Sequence, residues 1–520
     1  RGWCKLFDIL IKNGLIVDGL RTKPYKSSIG IKNGKIAKIS SNLKEEDAKE
    51  IIDAGNLVVA PGFIDIHTHS DKSFLMDDRS ESKIFQGVTT EVVGQCGHSY
   101  YINPEEDRNT KNSSILIDFI EKVNKENKKM STNWVTFVGH NSIRASVMGL
   151  EGRKATKEEI NKMVELLDKE IEAGAWGLSL GLGYSPGIFS DIEELVALGE
   201  VVEKHNTMIS SHMRNQGARI YQALDEMFEI NRQTNAHVHI SHLKISGKPQ
   251  WGKAEGLLKY IKDAQAEGIN VTCDIYPYEA ASSGITNILP KWTLAGGQEQ
   301  AAARFKTEER EKIMKELSQK FEDPTYADRI YIVSTNGLYP IADDKTIREL
   351  AEELNISPAE AVEQVVVNTN GNCSHISFAM DEKDMLRMIR EINIAIGSDG
   401  SGLPMSPYKN NGKPHPRNFG TFPRFLKLAR EYNMMPIEDA LYKMTALSAD
   451  ILGFTDRGIL KEDYAADITI FDPNIVSDEA TYKNPFQKPI GIEYVIVNGK
   501  IAVKEGLQTE NRAGEFLMHE

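Results

Sequence analysis

The sequence has few cysteines, no long apolar run and no excess of basic residues. Four cysteines among 520 residues are too few for a disulfide framework, which favours a reducing, cytoplasmic setting. No apolar run approaches the roughly 20 residues that span a bilayer. The segment that begins with Arg1 lacks the apolar core of a signal peptide. We therefore expect a cytoplasmic protein with no membrane partner.

The scarcity of positive charge bears on the partners of the protein. The formal net charge is −13 at pH 7, whereas a protein that binds nucleic acid needs a basic surface to meet the phosphates. We therefore expect no nucleic-acid partner. The charge balance says little about small substrates, because a few local cations can form an anion pocket in an acidic protein. Hydrophobic residues at 40% and charged residues at 26% are ordinary for a globular enzyme.

Candidate strands and helices alternate through the middle of the chain. Helical patterns such as 156–173 and 190–205 separate apolar, strand-like runs, and this alternation is typical of a parallel sheet surrounded by helices. Eight strands in this order predict an α/β fold, a (β/α)8 TIM-like barrel with its chemistry at the carboxyl ends of the strands. The eight candidate strands span residues 57–69, 89–96, 134–140, 176–181, 207–213, 237–244, 270–278 and 392–399.

Two regions lie outside the regular barrel pattern. Residues 5–56 and 459–520 contain short strands, and turn pairs such as Asn33-Gly34 favour hairpins there. We predict that both chain ends form one small β-sandwich domain and that residues 57–458 form the barrel. The connection between the seventh and eighth strands is unusually long, which predicts an inserted subdomain over 283–345 that closes over the barrel mouth as a lid. An insertion without a catalytic part is the alternative.

Two histidines, His67 and His69, end the first predicted strand. Side chains two residues apart on a strand point to the same face, so both imidazoles can reach one metal ion. A polar pair between strands is the alternative for this motif alone. Several other strand ends also carry ligand-type or base-type residues, which favours a joint metal site. These residues are Cys96, His212, His242 and Asp399.

The order of these residues resembles the amidohydrolase superfamily, as does the segment 61–69, Pro-Gly-Phe-Ile-Asp-Ile-His-Thr-His. Two-metal members of that superfamily usually carry a carboxylated lysine at the end of the fourth strand, but residues 174–184 contain no lysine. Cys96 on the second strand supplies a negative ligand instead. With this cysteine in place of the lysine, the sequence resembles the N-acyl-D-amino-acid deacylase family. The segments that agree include His-Met-Arg at 212–214, Asp-Ile-Tyr-Pro-Tyr at 274–278 and His-Pro-Arg-Asn-Phe-Gly-Thr-Phe-Pro-Arg at 415–424.

The resemblance implies a zinc enzyme. Cys96, His212 and His242 would hold a tightly bound zinc ion, and a thiolate with imidazoles is a donor set that suits zinc. A second, looser metal position would use His67 and His69 and would share Cys96. The sequence leaves the occupancy of that second position open.

Asp399 belongs to the same predicted metal site and is the predicted general base. It would take a proton from the attacking water and return it to the leaving nitrogen. The implied reaction is hydrolysis of N-acyl-D-amino acids, or of dipeptides with a C-terminal D residue, to a carboxylate and a free D-amino acid. The preference for D stereochemistry follows from the resemblance alone. The substrate contacts implied by the resemblance are Lys244, Arg417, Tyr184, Tyr276 and Ser282.

Two other functions stay open at this point. One is a cyclic-amide hydrolase of the dihydroorotase or hydantoinase type, which the missing strand-four lysine disfavours. The other is an inactive relative that acts as a binding protein, which the complete ligand set disfavours. Strand parity also predicts that Lys244 shares the face of His242 and that His237 and His239 point away from that face. The sequence does not specify an oligomeric state.

Overall fold

The computed structural model describes residues 6–102, 114–407 and 412–520. Within these ranges the strands are β1 (Phe7–Ile16), β2 (Tyr25–Lys32), β3 (Lys35–Ile39), β4 (Ala48–Asp53), β5 (Val58–Pro61), β6 (Phe63–Asp65), β7 (Val88–Val93), β8 (Asn133–Thr136), β9 (Val138–Gly139), β10 (Gly177–Gly181), β11 (Met208–His212), β12 (His237–Ile240), β13 (Val271–Ile275), β14 (Ala281–Gly284), β15 (Ile330–Ser334), β16 (Ser374–Ser377), β17 (Ile394–Ile396), β18 (Ile468–Phe471), β19 (Ile492–Val497), β20 (Lys500–Lys504) and β21 (Leu507–Gln508).

The helices connect most of these strands in the expected alternation. They are α1 (Ser73–Met76), α2 (Glu81–Ile84), α3 (Ile115–Lys125), α4 (His140–Met148), α5 (Lys157–Glu172), α6 (Ile192–Lys204), α7 (Ile220–Thr234), α8 (Ala254–Ala266), α9 (Gly297–Ala303), α10 (Arg310–Lys320), α11 (Ile347–Leu354), α12 (Pro358–Thr369), α13 (Glu382–Ile389), α14 (Arg417–Glu431), α15 (Ile437–Met444) and α16 (Ala446–Leu452). The predicted helix over 156–173 is α5, and Thr156 starts it with a capping box to Glu159. None of the described helices is both long and apolar enough to cross a membrane.

The predicted parallel barrel is present. Strands β6, β7 and β8 pair in parallel, and so do β9, β10, β11, β12, β13 and β17 in that order. Strands β8 and β9 together correspond to the predicted third strand, so the barrel has eight strand positions. The Asp399 N–H donates to the His67 carbonyl at 2.8 Å, and a parallel bridge joins Thr68 to Gly400. These contacts close the barrel between its first and eighth strands.

The predicted first strand is divided at Gly62. Strand β5 before it pairs with β1 and β18 in another sheet, whereas β6 after it enters the barrel. A Cβ atom on Gly62 would lie 2.2 Å from the Thr89 hydroxyl oxygen, so only glycine allows this close approach. The chain therefore passes from one sheet to the other within a few residues.

Both chain ends contribute to one nine-stranded sheet, as predicted for the small β domain. Its order is β21-β20-β19-β18-β5-β1-β2-β3, with β4 also paired to β1. A bridge between Lys35 and Ala465 brings β3 towards the start of β18, so the sheet folds back on itself. The enclosed core is aliphatic. It contains Ile9, Ile11, Ile16, Ile29, Ile31, Ile36, Ile52, Ala54, Val59, Leu460, Ala466, Ile468, Ile470, Ile496 and Ile501.

The long connection between β13 and β17 has its own sheet and core. Strands β14, β16 and β15 form an antiparallel sheet, and helices α9 to α12 pack in a separate hydrophobic cluster whose buried members run from Ile285 to Cys373. An ion pair between Lys413 and Asp344 ties this insertion to the segment that follows β17. The predicted lid role of the insertion, and its predicted bounds of 283–345, stay predictions.

Candidate metal centre and substrate pocket

Cys96 lies at the centre of a cluster of histidines at the carboxyl end of the barrel. Its sulfur lies 3.4 Å from His67 Nε2, 3.4 Å from His242 Nε2 and 3.7 Å from His212 Nδ1. His212 Nδ1 and His242 Nε2 are 2.9 Å apart. Four donor atoms from four strand ends therefore converge on one small volume.

Left-handed backbone at three strand ends turns these side chains inward. Cys96, His242 and Asp399 have φ values of 53°, 40° and 52°, in a region that is uncommon for residues other than glycine, although Asn, Asp and His adopt it more often than the rest. The conformation is therefore most unusual for Cys96. Such strain is maintained only where the surrounding structure over-determines it, and it is frequent at functional sites. The left-handed backbone also interrupts the alternation of side chains between the two faces of each strand, just before these residues.

The prediction that His239 points away from the face of His242 is wrong, because the left-handed backbone at His242 interrupts the alternation of the strand. His239 is buried, and its Nε2 lies 2.9 Å from Asp274 Oδ2, while the His242 N–H donates to Asp274 Oδ1 at 2.8 Å. Strand β12 ends at Ile240, so alternation no longer relates His239 to His242. His237, predicted with it, contacts the Thr272 hydroxyl. Lys244 also lies beyond the strand.

A second group of donors adjoins Cys96. Asp399 Oδ1 lies 3.0 Å from His69 Nε2 and 3.6 Å from His67 Nε2. His67, Cys96, His242 and Asp399 each offer one ligand atom within 4.8 Å of the other three. His67 and Asp399 are buried, whereas the His69 side chain is 33% exposed. This group therefore opens towards the barrel mouth on the side of His69.

The donor spacing fits a tetrahedral zinc ion. Ligand atoms at the usual distances of about 2.0 Å for nitrogen and about 2.3 Å for sulfur lie roughly 3.3–3.5 Å apart around one zinc. Among the donors predicted for the tight position, the Cys96 sulfur is 3.4 Å from His242 Nε2 and 3.7 Å from His212 Nδ1, and the two nitrogens are 2.9 Å apart. The sulfur is 3.4 Å from His67 Nε2, a donor of the second predicted position. Burial would raise the pKa of the Cys96 thiol, but the charges of His67 and His242 hold it well below its usual value. A thiolate is the form that binds metal.

Asp274 supports the site through contacts with its histidines. It was not among the residues predicted for the site. Its Oδ2 lies 3.4 Å from His67 Nδ1 and 2.9 Å from His239 Nε2. Burial would raise the pKa of this carboxyl, but His67 lowers it, and Asp274 stays ionised. Carboxylates in this position orient the ring of a metal-binding histidine and make it a better ligand. Its occurrence in the segment Asp-Ile-Tyr-Pro-Tyr was the available signal.

A fully buried lysine holds the backbone around Asp399 and was also missed. Lys83 Nζ donates to Asp65 Oδ2 at 2.8 Å, to Ser398 Oγ at 2.7 Å and to the Gly400 carbonyl at 3.3 Å. Ser398 and Gly400 are the two neighbours of Asp399. A buried ammonium needs such partners, because an unpaired charge in the interior is costly.

Four of the five predicted substrate contacts lie around the Cys96 cluster. Arg417 Nη1 lies 2.8 Å from Asp399 Oδ2, and the guanidinium carbon is 5.0 Å from the centre of the Tyr276 ring. Lys244 Nζ donates to the Tyr276 hydroxyl at 3.2 Å. The Tyr184 ring lies 4.4 Å from that of His212. Two cations, Arg417 and Lys244, thus flank one tyrosine beside the cluster.

Ser282 is the exception. It lies on β14, where it pairs with Ile376 in the insertion. Among the described residues, no hydrogen bond joins Ser282 to the metal ligands or to Arg417. Its predicted role at the substrate therefore stays a prediction.

The remaining histidines lie outside the cluster. His98 contacts the Cys96 carbonyl through Nδ1 at 2.9 Å and so supports the ligand backbone. His140 lies 2.6 Å from Glu194, and His205 lies 2.6 Å from Asp168. That none of the three is a metal ligand stays a prediction, and His205 forms a second group of potential ligand atoms with Asp168 and Glu172, all within 4.8 Å of one another.

Comparison with known proteins places this geometry in a family. Residues 50–503 match the amidohydrolase family. The D-aminoacylase of Alcaligenes xylosoxydans xylosoxydans is 32% identical over 522 residues, which cover 98% of this chain and 97% of the relative. The chain belongs to the amidohydrolase family, in its D-aminoacylase branch.

Solved structures of two amidohydrolases agree with this assignment. A D-aminoacylase structure with a binuclear metal centre superposes with a TM-score of 0.82 at 31% identity, over 98% of this chain and all of that one. The N-acyl-D-glutamate deacylase of Bordetella bronchiseptica, complexed with zinc and a phosphonate mimic of the tetrahedral intermediate, gives a TM-score of 0.82 at 28% identity, covering 98% and 99% of the two chains. A dihydroorotase of Geotalea daltonii is only 24% identical over 96% of this chain and 99% of its own length, so the linear-amide branch is favoured over the cyclic-amide alternative.

Proposed function

We propose that this chain is a zinc-dependent hydrolase of the amide bond of N-acyl-D-amino acids, including dipeptides with a C-terminal D residue. The observation that carries the proposal is the convergence of three imidazoles on the Cys96 sulfur at 3.4 to 3.7 Å. Zinc is the metal that such a nitrogen and thiolate set prefers. The related deacylase with bound zinc and phosphonate supports the same choice.

Two metal positions share Cys96 in this proposal. Cys96, His212 and His242 would hold the tightly bound ion, and His67 and His69 with Cys96 would hold the second. The related D-aminoacylase is described with one-metal activation and second-metal attenuation. We therefore assign activity here to the first position, with the second position modulating it. When bound, zinc supplies the Lewis acidity that activates water and polarises the amide carbonyl.

Asp399 moves the proton in the proposed reaction. Its carboxylate stays ionised because Arg417 and His242 outweigh burial and hold its pKa well below the usual range. Asp399 accepts a proton from the attacking water and then donates it to the amide nitrogen as the carbon–nitrogen bond breaks. One water molecule is consumed, and the products are a carboxylate and a free amino acid.

Arg417, Lys244 and Tyr276 form the proposed pocket for the α-carboxylate of the substrate. A guanidinium binds a carboxylate through two parallel hydrogen bonds, and a lysine adds a point charge. Asp399 Oδ1 faces His69 while its Oδ2 faces Arg417. The general base therefore lies between the metal ligands and the carboxylate pocket, which is where the scissile amide of an N-acyl amino acid must lie.

One cation at the edge of the site favours substrates with an acidic side chain. Lys291 Nζ donates to the Gly183 carbonyl, next to Tyr184, at 3.3 Å. Its side chain reaches solvent, yet desolvation of the ammonium lowers its pKa to about 8, with a further contribution from Lys320. Within the described ranges no carboxylate pairs with Lys291. A substrate carboxylate, as in N-acyl-D-glutamate, would supply that partner.

The variant Lys291→Leu tests this preference. The ratio of kcat/KM for N-acetyl-D-glutamate to that for N-acetyl-D-leucine is expected to fall about tenfold, the value of a charge-assisted contact of roughly 1.5 kcal/mol. An unchanged ratio would leave Lys291 as a structural residue.

A substrate panel tests the proposed function as a whole. Zinc content is measured on the purified protein, and turnover is measured on N-acetyl-D-amino acids, their L enantiomers and hydantoins. Zinc with selective turnover of the D series is expected. Turnover of hydantoins alone would restore the cyclic-amide alternative, and zinc without turnover of any substrate would favour an inactive relative.

A further inference from the structure

His415 has both ring nitrogens engaged by main-chain groups. The Arg417 N–H donates to His415 Nδ1 at 3.0 Å, and His415 Nε2 lies 3.0 Å from the Ala280 carbonyl oxygen. A main-chain N–H can only donate and a carbonyl can only accept. The two contacts therefore define the neutral tautomer that carries its proton on Nε2.

The first contact lies at the start of helix α14. Arg417 is the first residue of α14, and the first N–H groups of a helix lack partners within the helix. An acceptor side chain normally fills this place, most often from Ser, Thr, Asp or Asn. Here the imidazole of His415 does so from two residues earlier. The helix start carries the arginine that faces Asp399, so the cap and the guanidinium are linked through one residue.

The second contact connects that helix start to the insertion. Ala280 directly precedes β14, the first strand of the inserted sheet. His415 thus bridges the segment after β13, which carries Tyr276, to the segment that carries Arg417. The ring is 2% exposed and packs edge-on against Tyr278 and Tyr482, with centroid distances of 5.2 and 5.1 Å. Burial and the charge of Arg417 keep the pKa of His415 well below its usual value.

We propose that His415 is a positioning residue for substrate carboxylate recognition: its neutral imidazole caps α14 and holds Arg417 in register with Tyr276. This inference rests on the proposed function, because it assumes that Arg417 binds the substrate carboxylate. His415 takes no part in proton transfer, since neither ring nitrogen is free. Its removal therefore affects the preference for charged substrates more than the chemical step.

Two near-isosteric variants separate the two contacts. In His415→Asn the side-chain oxygen takes the place of Nδ1 and can still accept from the Arg417 N–H. In His415→Gln the amide nitrogen takes the place of Nε2 and keeps only the contact to Ala280. The measured quantity is the ratio of kcat/KM for an N-acetyl-D-amino acid to that for its carboxamide. We expect the ratio to fall about tenfold in the Gln variant, the value of roughly one hydrogen bond, and to change little in the Asn variant.

The controls distinguish the failure of this inference from failure of the proposed function. If the wild type and Arg417→Met show equal ratios, Arg417 does not bind the carboxylate and the underlying function is wrong. If this ratio falls in Arg417→Met but stays at the wild-type value in His415→Gln, the positioning role is wrong. The role is also wrong if the ratio falls equally in both His415 variants. Should His415→Gln fail to fold, ¹⁵N NMR of histidine-labelled wild type, assigned with the Asn variant, still decides: a proton on Nδ1 would overturn the proposal.

Discussion

The core of the terminal sheet and the mouth of the barrel are equally buried but chemically opposite. The sheet encloses isoleucine, valine, leucine and alanine side chains. The barrel mouth encloses charged groups such as Lys83, Asp274, Asp399 and Arg417. Burying apolar surface contributes about 25 cal/mol per Å² to stability, whereas burying an ion costs free energy unless partners compensate. Burial in the sheet therefore supports the fold, and burial in the mouth serves the site.

This difference predicts that substitutions in the two regions have separable effects. Changes at the residues that contact the metal or the substrate should alter activity more than folding, because their charges have a chemical task. Changes in the sheet should alter the free energy of unfolding and leave turnover intact. Four substitutions test that separation, each against a control substitution of a residue of the same type elsewhere in the chain.

Asp399→Asn should give the largest loss. The amide preserves the shape of the side chain but cannot accept the proton of water, so kcat is expected to fall about 10²- to 10⁴-fold with zinc retained. Steady-state kinetics and metal analysis measure both quantities. Asp467→Asn is the matched control, since Asp467 is buried and pairs with Arg457 at 2.8 Å away from the metal ligands. It should lower stability and spare kcat; near-full turnover of Asp399→Asn would disprove the assigned base.

Cys96→Ala should release the metal. The substitution removes the thiolate shared by both positions, and loss of even an outer partner of a metal ligand costs about 10- to 100-fold in affinity. Zinc retained after dialysis against a chelator is the measurement, and activity should follow it. Cys373→Ala is the control, because Cys373 is also buried but belongs to the core of the insertion. Full zinc occupancy in Cys96→Ala would make Cys96 an ordinary core residue.

The sequence predicted the barrel well because its strand bodies follow the hydrophobic pattern. The order of the strands follows from the alternation of strand and helix patterns, and the joining of the chain ends follows from the short strands and hairpin turns at both ends. The convergence of Cys96 with His67, His212 and His242 follows from ligand-type residues at parallel strand ends. These features depend on short stretches of sequence and on the common direction of the strands. They are therefore visible before any coordinates.

The supporting contacts could not be predicted in the same way. Strand alternation assigned His239 to the wrong face because left-handed backbone at His242 interrupts the period of two. The Lys83 contact to Asp65 and the Asp274 contact to His67 are tertiary contacts. The resemblance of residues 274–278 could have singled out Asp274, but a single sequence does not show which side chains pair. The division of the first strand depends on the close approach of Gly62 to Thr89, which is likewise a tertiary contact.

Arg417→Met should have a smaller but more selective effect than the two changes above. Loss of a charge-assisted contact of about 3 kcal/mol predicts a fall of about 10²-fold in kcat/KM for N-acetyl-D-amino acids. Their carboxamides should lose far less, because they carry no carboxylate. Arg424→Met on the same helix is the control, since Arg424 pairs with Asp478 and contacts the Tyr278 ring. Equal losses on acids and carboxamides would assign Arg417 to the fold or to the Asp399 environment alone.

The smallest effect is expected in the terminal sheet, where two adjacent isoleucines on β4 differ in burial. Ile52 is 2% exposed and belongs to the aliphatic core, whereas Ile51 is 41% exposed. Ile52→Val removes one buried methylene group and should lower the free energy of unfolding by about 0.5–1.5 kcal/mol. The measurement is urea unfolding of the terminal sheet, whose midpoint should move to a lower urea concentration. Ile51→Val removes the same group from a solvated face and should change little. Both variants should keep wild-type kcat/KM, because neither side chain contacts the barrel mouth. A loss of activity in Ile52→Val would show that the sheet supports the metal centre through β5 and Gly62, and that the two regions are not energetically separate.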